Sequence, residues 1–358
     1  MANDWRPSNW GDEVTLEYGK AIRGYNKTHG KYRVFGSNGP IGWTSNALTQ
    51  GPGVVLGRKG AYRGVEFCHE PFWVIDTAYY VVPKTDLDMR WLYYAVKYYK
   101  LGEVDDGSPI PSTPRAAVYM LELDIPPKNE QRAIAHILGT LDDKIELGRR
   151  MNETLEDMAR ALFKAWFVDF EPVRAKMDGR WQRGQSLPGL PAHLYDLFPD
   201  QLVESELGEI PLGWGIEPLA TSMDFKEGPG IRNWQYTNTD EGIKFINIRC
   251  IQGGDLLLDT ANRITEGEAN GKYAHFQLQP LDIVVSTSGT LGRSAIVRPE
   301  HLPLVLNTSV IRFRPIEGKT SFSYIYQYLN GKEFLEKLEA MASGSVQRNF
   351  GPIHLRSR

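Results

Sequence analysis

Apolar positions change their period twice along this chain. In the middle they fall at Ile134, Leu138, Leu141 and Ile145, lapse around Gly148 to Arg150, and resume at Met151, Leu155, Met158, Leu162 and Trp166. Spacings of three and four predict a single helix over Glu130–Phe167 with a narrow apolar seam. The remaining positions mix both charges, among them Asp142, Asp143, Lys144, Glu146, Arg149, Arg150, Glu153, Glu156, Asp157, Arg160 and Lys164, as a solvated face does. At a 1.5 Å rise per residue such a helix spans roughly 55–60 Å. Burial of an apolar face is what stabilises long helices, so this seam calls for a second helix to cover it. Asn152 falls close to the seam, where it either fixes register or faces solvent; periodicity leaves both open.

On either side the pattern is short and β-like. Runs such as GVVLG and PFWVIDTAYYVVP, broken by Gly and Pro, precede one helical stretch, LDMRWLYYAVKYYK. Pro126 and Pro127 end the extended segment, and Asn129 is placed to cap the long helix. Beyond the helix, EPVRAKMDGRWQRGQSLPGLP reads as a connector. LGEIPLGWGIEPL then opens a second region of short strands that ends in the helical SFSYIYQYLNGKEFLEKLEAMAS.

The second region repeats the first. NWGDEVTL at Asn9 is echoed by GWGIEPL at Gly213, RKGAYRG at Arg58 by TSGTLGR at Thr287, and VIDTAYYVVP at Val74 by VLNTSVIRFRP at Val305. A helix follows in each copy, WLYYAVKYY and YIYQYL, then a Gly-Ser pair, Gly107-Ser108 and Gly344-Ser345. Each match is weak alone, but the order is shared, and two copies are too few for a solenoid. The expected fold class is α+β: two similar α/β domains separated by a long central, coiled-coil type α-helix. The expected boundaries are 1–127 for the first domain, 128–170 for the helix, 171–205 for the connector and 206–358 for the second domain.

The 358 residues suffice for two or three domains with their own cores. No apolar run approaches the roughly 18 residues of a membrane span, and the start MANDWRPSNWGDE lacks the basic and apolar segments of a secretory signal, so a cytoplasmic chain is expected. Cys68 and Cys250 stand far apart and read as small buried side chains. Neither they nor the seven scattered histidines show zinc-ligand spacing.

A net charge of -3 argues mildly against a nucleic-acid partner. Its distribution argues the other way. From Lys20 to Gly64 there is no acidic residue, while Lys20, Arg23, Lys27, Lys31, Arg33, Arg58, Lys59 and Arg63 are basic. Residues 284–315 carry Arg293, Arg298, Arg312 and Arg314 against Glu300 alone. Screening confines each charge to about 8 Å, so local basic fields can attract phosphate on an acidic chain. A pair of ordinary solvated faces is the bland alternative.

Catalytic signatures do not emerge. There is no GxxxxGK[ST] loop, GPGVVLG lacks the strand-to-helix setting of a dinucleotide site, and the adjacent prolines of DIPPK are followed by Lys128 rather than an aromatic. Asp105-Asp106 and Asp142-Asp143 are neighbours whose side chains diverge, the second pair on the outer face of the helix. Ser286, Thr287, Ser288 and Thr290 have no histidine nearby in sequence to act as base.

The stretch PPKNEQRAIAHILGTLDDKIELGRRMNETLEDMARALFKAWFVDFEPV resembles the central helical region of the DNA-specificity (S) subunits of type I restriction-modification systems. LGEIPLGW is similar to the opening of their second target-recognition domain, and SGTLGR and SGSVQ to landmarks inside such domains. The resemblance implies a non-catalytic subunit whose two target-recognition domains each read half of a split double-stranded DNA site. It also implies methyltransferase subunits carrying S-adenosylmethionine and motor-nuclease subunits as partners, no cofactor of its own, and a central helix that sets the gap between half-sites. After GSVQRNFGPIHLRSR the family would continue into a second Pro-Pro-x-x-Glu-Gln helix, so the central helix is expected to lack its intramolecular partner. A coiled-coil scaffold without DNA specificity is the alternative.

Loops supply readers in such domains. The candidates are Lys20, Arg23, Arg58, Lys59, Tyr62 and Arg63 in the first domain, and Arg232, Asn233, Ser288, Thr290 and Arg293 in the second, since Arg pairs with guanine and Asn with adenine. Phe163, Trp166, Phe167 and Phe170 are either core or a docking face for the methyltransferase subunit. Aromatics at helical spacing favour core.

Overall fold

The computed structural model describes residues 4–105, 107–109, 111–341 and Leu355. Contacts divide the chain into Met1–Asn152 and Glu153–Arg358. Among the described residues no helix is long and apolar enough to cross a membrane.

In the first unit the chain runs β1 (Arg6–Asn9), α1 (Trp10–Glu13), β2 (Val14–Tyr18), β3 (Tyr32–Gly36), β4 (Gly39–Thr44), β5 (Gly53–Gly57), β6 (Val65–Cys68), β7 (Phe72–Val74), β8 (Ala78–Pro83), α2 (Met89–Tyr98), α3 (Arg115–Tyr119) and β9 (Glu122–Ile125). It then enters α4 (Lys128–Phe167). An antiparallel sheet has the order β2-β8-β5-β6, and a second sheet, β4-β3-β7, joins β3 to β7 in parallel. The run GVVLG is buried along its whole length, as an uninterrupted apolar run should be. Helix α2 starts where the Asp88 carboxylate accepts the amides of Arg90 and Trp91. It lays Trp91, Leu92, Ala95 and Val96 on this sheet, in one core with Trp10, Leu16, Val54, Leu56 and Val81.

Helix α4 is forty residues long and unbroken through Gly148. Asn129 is not its cap: the helix already includes Lys128, and the Pro127 carbonyl accepts the amides of Glu130 and Gln131. Trp5 Nε1 donates to Glu130 Oε1 at 3.0 Å. Gln131 is buried, accepting from the Asp88 amide and donating to the Pro126 carbonyl, both at 2.9 Å. Asp142 and Asp143 were expected on the outer face. They instead clamp this part of the helix to α2, Asp142 accepting from the Tyr94 hydroxyl at 2.7 Å and Asp143 pairing with Arg90. Burial, then the Asp142 hydrogen bond, pushes the Tyr94 phenol up to about 12.

The second unit contains the end of α4, then α5 (Glu171–Met177), β10 (Leu202–Ser205), β11 (Gly208–Pro211), β12 (Met223–Glu227), β13 (Ile243–Ile246), β14 (Ile251–Gln252), β15 (Asp255–Leu256), β16 (Arg263–Ile264), α6 (Glu266–Asn270), β17 (Ile283–Ser286), β18 (Ser294–Ile296), β19 (Leu304–Leu306), β20 (Val310–Pro315), α7 (Phe322–Leu329) and α8 (Lys332–Met341). Its main sheets are β12-β20-β17-β18, all antiparallel, and β16-β13-β19, with β13 and β19 parallel. This is the first unit's topology again. RKGAYRG and TSGTLGR both lie in the hairpins β5-β6 and β17-β18, and VIDTAYYVVP and VLNTSVIRFRP both form the passage from β7 to β8 and from β19 to β20.

Two landmarks fare differently. Trp10 lies inside its domain's core, whereas Trp214 packs on Phe167 and Phe170, so NWGDEVTL and GWGIEPL are not equivalent. Gly344-Ser345 lies outside the described residues. The connector also differs from a plain loop. It carries a core of its own, with Val173, Ala175, Trp181, Leu190 and Phe198 buried and Trp166 and Phe170 packed against them.

Candidate nucleic-acid interface

In the first domain the hairpin Arg58–Gly64 is held from below by main-chain bonds. The Arg58 amide donates to the Thr77 carbonyl, its carbonyl accepts from the Thr113 amide, and Gly60 N–H donates to the Pro111 carbonyl. Gly60 and Gly24 take positive φ without neighbours near a Cβ, so their turns rather than packing require glycine. Lys59 and Tyr62 project from this frame, Tyr62 with 79% of its surface exposed. Lys20 is pinned through its backbone, its amide donating to the Val74 carbonyl and its carbonyl accepting from Trp73 Nε1 at 2.7 Å, while its side chain is exposed. Arg23, in the loop that follows, is exposed as well.

Arg63 behaves otherwise. Its side chain is 5% exposed, and its guanidinium donates to the carbonyls of Gly102 (2.6 Å) and Gly60 (3.1 Å), with Asp105 beside it. It braces the hairpin and is not free to read a base. Arg58 donates through Nε and NH2 to the Asp76 carbonyl, which anchors the side chain without neutralising it. Among the described residues no carboxylate pairs with Lys20, Arg23, Lys27, Lys31, Arg33, Arg58 or Lys59. These positive charges of the segment thus lack direct carboxylate partners among the described residues.

The second domain corrects its expectation. Of the four arginines in 284–315, Arg312 pairs with Asp224, Arg314 binds Asp282 through both carboxylate oxygens at 2.6 and 2.7 Å, and Arg298 pairs with Asp255 at 2.8 Å. Asp282 is fully buried and the attached Arg314 guanidinium is raised by that hydrogen bond. Only Arg293 remains exposed without a carboxylate partner among the described residues. Ser288 is buried and so is not a surface reader, while Thr290 and Arg293 sit at the exposed hairpin tip. Ser286 Oγ holds that tip, donating to the Thr290 carbonyl and accepting the Arg293 amide.

Arg232 and Asn233 are exposed on the loop between β12 and β13. Their platform is rigid: Gln235, buried beneath, accepts from the Arg232 amide and donates to Glu268 and to the Tyr273 hydroxyl at 2.7 Å. Trp234, missed in the sequence, directly follows them with 80% of its surface exposed. Its only sequence signal was a tryptophan in a polar loop.

The aromatic group at the end of α4 is occupied within the chain. Phe163 and Phe167 pack on Tyr324 with ring centroids 5.1 and 5.2 Å apart, Phe167 stacks on Trp214, Phe170 meets Trp214 edge-on, and Trp166 Nε1 donates to the Gly189 carbonyl. All four remain partly exposed, so these contacts leave both readings, core and docking face, open. The seam is more exposed: Leu141, Ile145, Met151, Leu155 and Met158 are each more than half exposed.

No cluster of His, Cys, Asp or Glu able to hold a metal ion occurs among the described residues. Cys250 is buried as expected, Cys68 only partly, and burial pushes both thiols up.

The family model for the type I restriction modification DNA specificity domain matches residues 3–157. The specificity subunit of the type I restriction enzyme HindI from Haemophilus influenzae is 27% identical over 286 residues, 70% of this chain and 61% of that one. The MjaIX specificity subunit of Methanocaldococcus jannaschii is 26% identical over 191 residues, 51% of this chain and 39% of that one. This chain thus spans less than two thirds of the length of the curated relatives it matches. The crystal structure of a type I restriction-modification system S subunit from M. genitalium superposes with a TM-score of 0.52 at 16% identity, over 99% of this chain and 87% of that one, a likeness of fold.

Proposed function

We propose, from the likeness to type I restriction-modification DNA-specificity subunits, that this chain is a member of that family, the DNA reader of a restriction-modification complex and not its catalyst. Each domain reads one half of a bipartite duplex site, and α4 sets the spacing between the halves. Methyltransferase subunits bound to it supply S-adenosylmethionine and the chemistry on adenine, and motor-nuclease subunits complete the restriction assembly.

The observation that carries this reading is the duplicated topology: two units with the same sheet orders present the same hairpin and the same β2-β3 or β12-β13 loop, each furnished with different side chains. Shared scaffold with divergent loops is what two readers of different half-sites require. Phosphate contacts from the unpaired basic residues position each domain and make affinity salt-dependent, and base-edge contacts from loop side chains specify sequence. A rigid helix between two readers converts a length in the protein into a number of base pairs. Its exposed seam is the face on which a partner helix lies.

Co-expression with the methyltransferase subunit, followed by mapping of methylated adenines across the host genome, tests the reading. A split motif with a fixed gap is expected; methylation at a single contiguous motif would overturn the two-reader assignment. The scaffold reading draws on the exposed seam alone, and it predicts no preference for duplex DNA in a mobility-shift assay with a polyanion competitor.

A further inference from the structure

We infer that Tyr18, Arg58 and Arg115 form a built site for a DNA phosphodiester on the first domain, and that the second domain, among its described residues, repeats neither Tyr18 nor Arg58. This rests on the DNA-reader assignment and names one of its backbone contacts.

The three side chains come from separate parts of the chain. Tyr18 ends β2, Arg58 opens the β5-β6 hairpin and Arg115 opens α3. The Arg115 guanidinium lies 4.1 Å from the Tyr18 ring centroid and the Arg58 guanidinium 5.0 Å from the same centroid. Each arginine is anchored by a main-chain carbonyl, Arg58 by Asp76 and Arg115 by Leu16, at 2.8 and 3.0 Å for the shorter contacts. A carbonyl fixes position and leaves the full positive charge. Among the described residues neither arginine has a carboxylate partner. Two like charges are thus held against one ring, and the negative face of the ring compensates them only in part. Tyr18 is 45% exposed and both arginines are partly exposed, so an outside anion can reach them. The hydrogen bond from Arg115, then that from Tyr79, lowers the Tyr18 phenol, while burial and Tyr18 push Tyr79 up to about 12.

The second domain supplies an internal control. Tyr18 pairs with Tyr79 across β2-β8, and Glu227 pairs with Ile311 at the corresponding place in β12-β20. The Arg58 amide donates to the Thr77 carbonyl, and the Thr287 amide donates to the Ser309 carbonyl in the same way. Glu227, Ile311 and Thr287 therefore replace Tyr18, Tyr79 and Arg58 on the same frame. The fold stands without the cluster, so its retention in one copy is not a demand of the topology. A phosphate oxygen between two planar, permanently charged guanidinium groups is the ligand that matches its charge and donors.

The test uses the full chain, alone and with its methyltransferase partner, and a mixed-sequence duplex of about 30 base pairs followed by fluorescence anisotropy across a salt series. Arg115→Gln is expected to weaken binding roughly three- to tenfold at low salt and to make the log–log salt slope shallower by about one. Arg115→Lys is expected to keep the slope, and Glu227→Gln in the second domain to leave the slope no shallower. A slope unchanged in Arg115→Gln, with wild-type binding intact, would overturn the phosphate site while leaving the DNA reader standing. No duplex binding by the wild type in either form would overturn the reader itself. Should Arg115→Gln fail to fold, Tyr18→Leu with Arg58→Gln takes its place under the same criterion.

Discussion

Lys59 and Arg63 are four residues apart in one hairpin and obey different physics. Lys59 projects into solvent with no carboxylate partner among the described residues, whereas Arg63 spends its guanidinium on the carbonyls of Gly102 and Gly60. Lys59→Ala should weaken duplex binding several-fold at low salt with an unchanged unfolding midpoint. Arg63→Ala should cost about 1.5–3 kcal/mol in urea unfolding, because buried carbonyls lose a charged donor. Equal stability of the two variants would contradict this division. Glu13 offers a second test. Burial pushes its carboxyl up, but the hydroxyls of Ser8 and Thr85 and the Arg6 guanidinium outweigh that and hold it below the ordinary glutamate value. A carboxyl lowered on folding contributes stability above its unfolded pKa, and that contribution is lost as the pH falls through the folded value. Glu13→Gln should therefore destabilise at neutral pH, and the difference from wild type should shrink in acid. A difference that persists unchanged at pH well below the glutamate range would refute the linkage.

At the scale of the element, α4 is two kinds of helix in one. Its first turns are bound to the first domain through Glu130, Gln131, Asp142 and Asp143. Its later seam, at Met151, Leu155 and Met158, faces solvent. Gln131→Ala removes two buried hydrogen bonds and should cost about 1–3 kcal/mol by thermal or urea unfolding. Leu155→Ser with Met158→Ser should change the stability of the isolated chain by less than about 0.5 kcal/mol, since exposed sites contribute little. The same pair should reduce assembly with whatever helix covers the seam, measured by co-purification with the methyltransferase subunit. Loss of stability in the isolated chain would mean that the seam is already covered.

At the scale of the whole molecule, the two units share topology and differ in charge. Among the described residues the first leaves Lys20, Arg23, Lys27, Lys31, Arg33, Arg58 and Lys59 without a carboxylate partner, and the second ties Arg298, Arg312 and Arg314 to its own carboxylates. The first domain should therefore carry most of the salt dependence of DNA binding. Lys20→Ala with Lys59→Ala should flatten the salt slope more than Arg232→Ala with Arg293→Ala, and the reverse order would refute it. If α4 sets the half-site gap, seven residues inserted between Leu147 and Gly148 lengthen it by about 10 Å, or about three base pairs at 3.4 Å each. The methylated motif should widen accordingly, and an unchanged gap would place the ruler elsewhere.

Periodicity alone determined the long helix, because a helical seam is a local pattern that solvent and packing both preserve. The duplication was equally legible in the order of landmarks, since each copy must place the same strands and turns. Charge runs misled in the second domain. Arg312 and Asp224 are 88 residues apart and Arg314 and Asp282 are 32 apart, so no local window contains both members of either pair. The same holds for Arg63 and its carbonyls, for the cover over Ser288, and for the two arginines that meet on Tyr18. Which side chains exist, and with what period, belongs to the chain. Which charges survive unpaired at the surface depends on strand register and sheet order, and only the tertiary structure decided that.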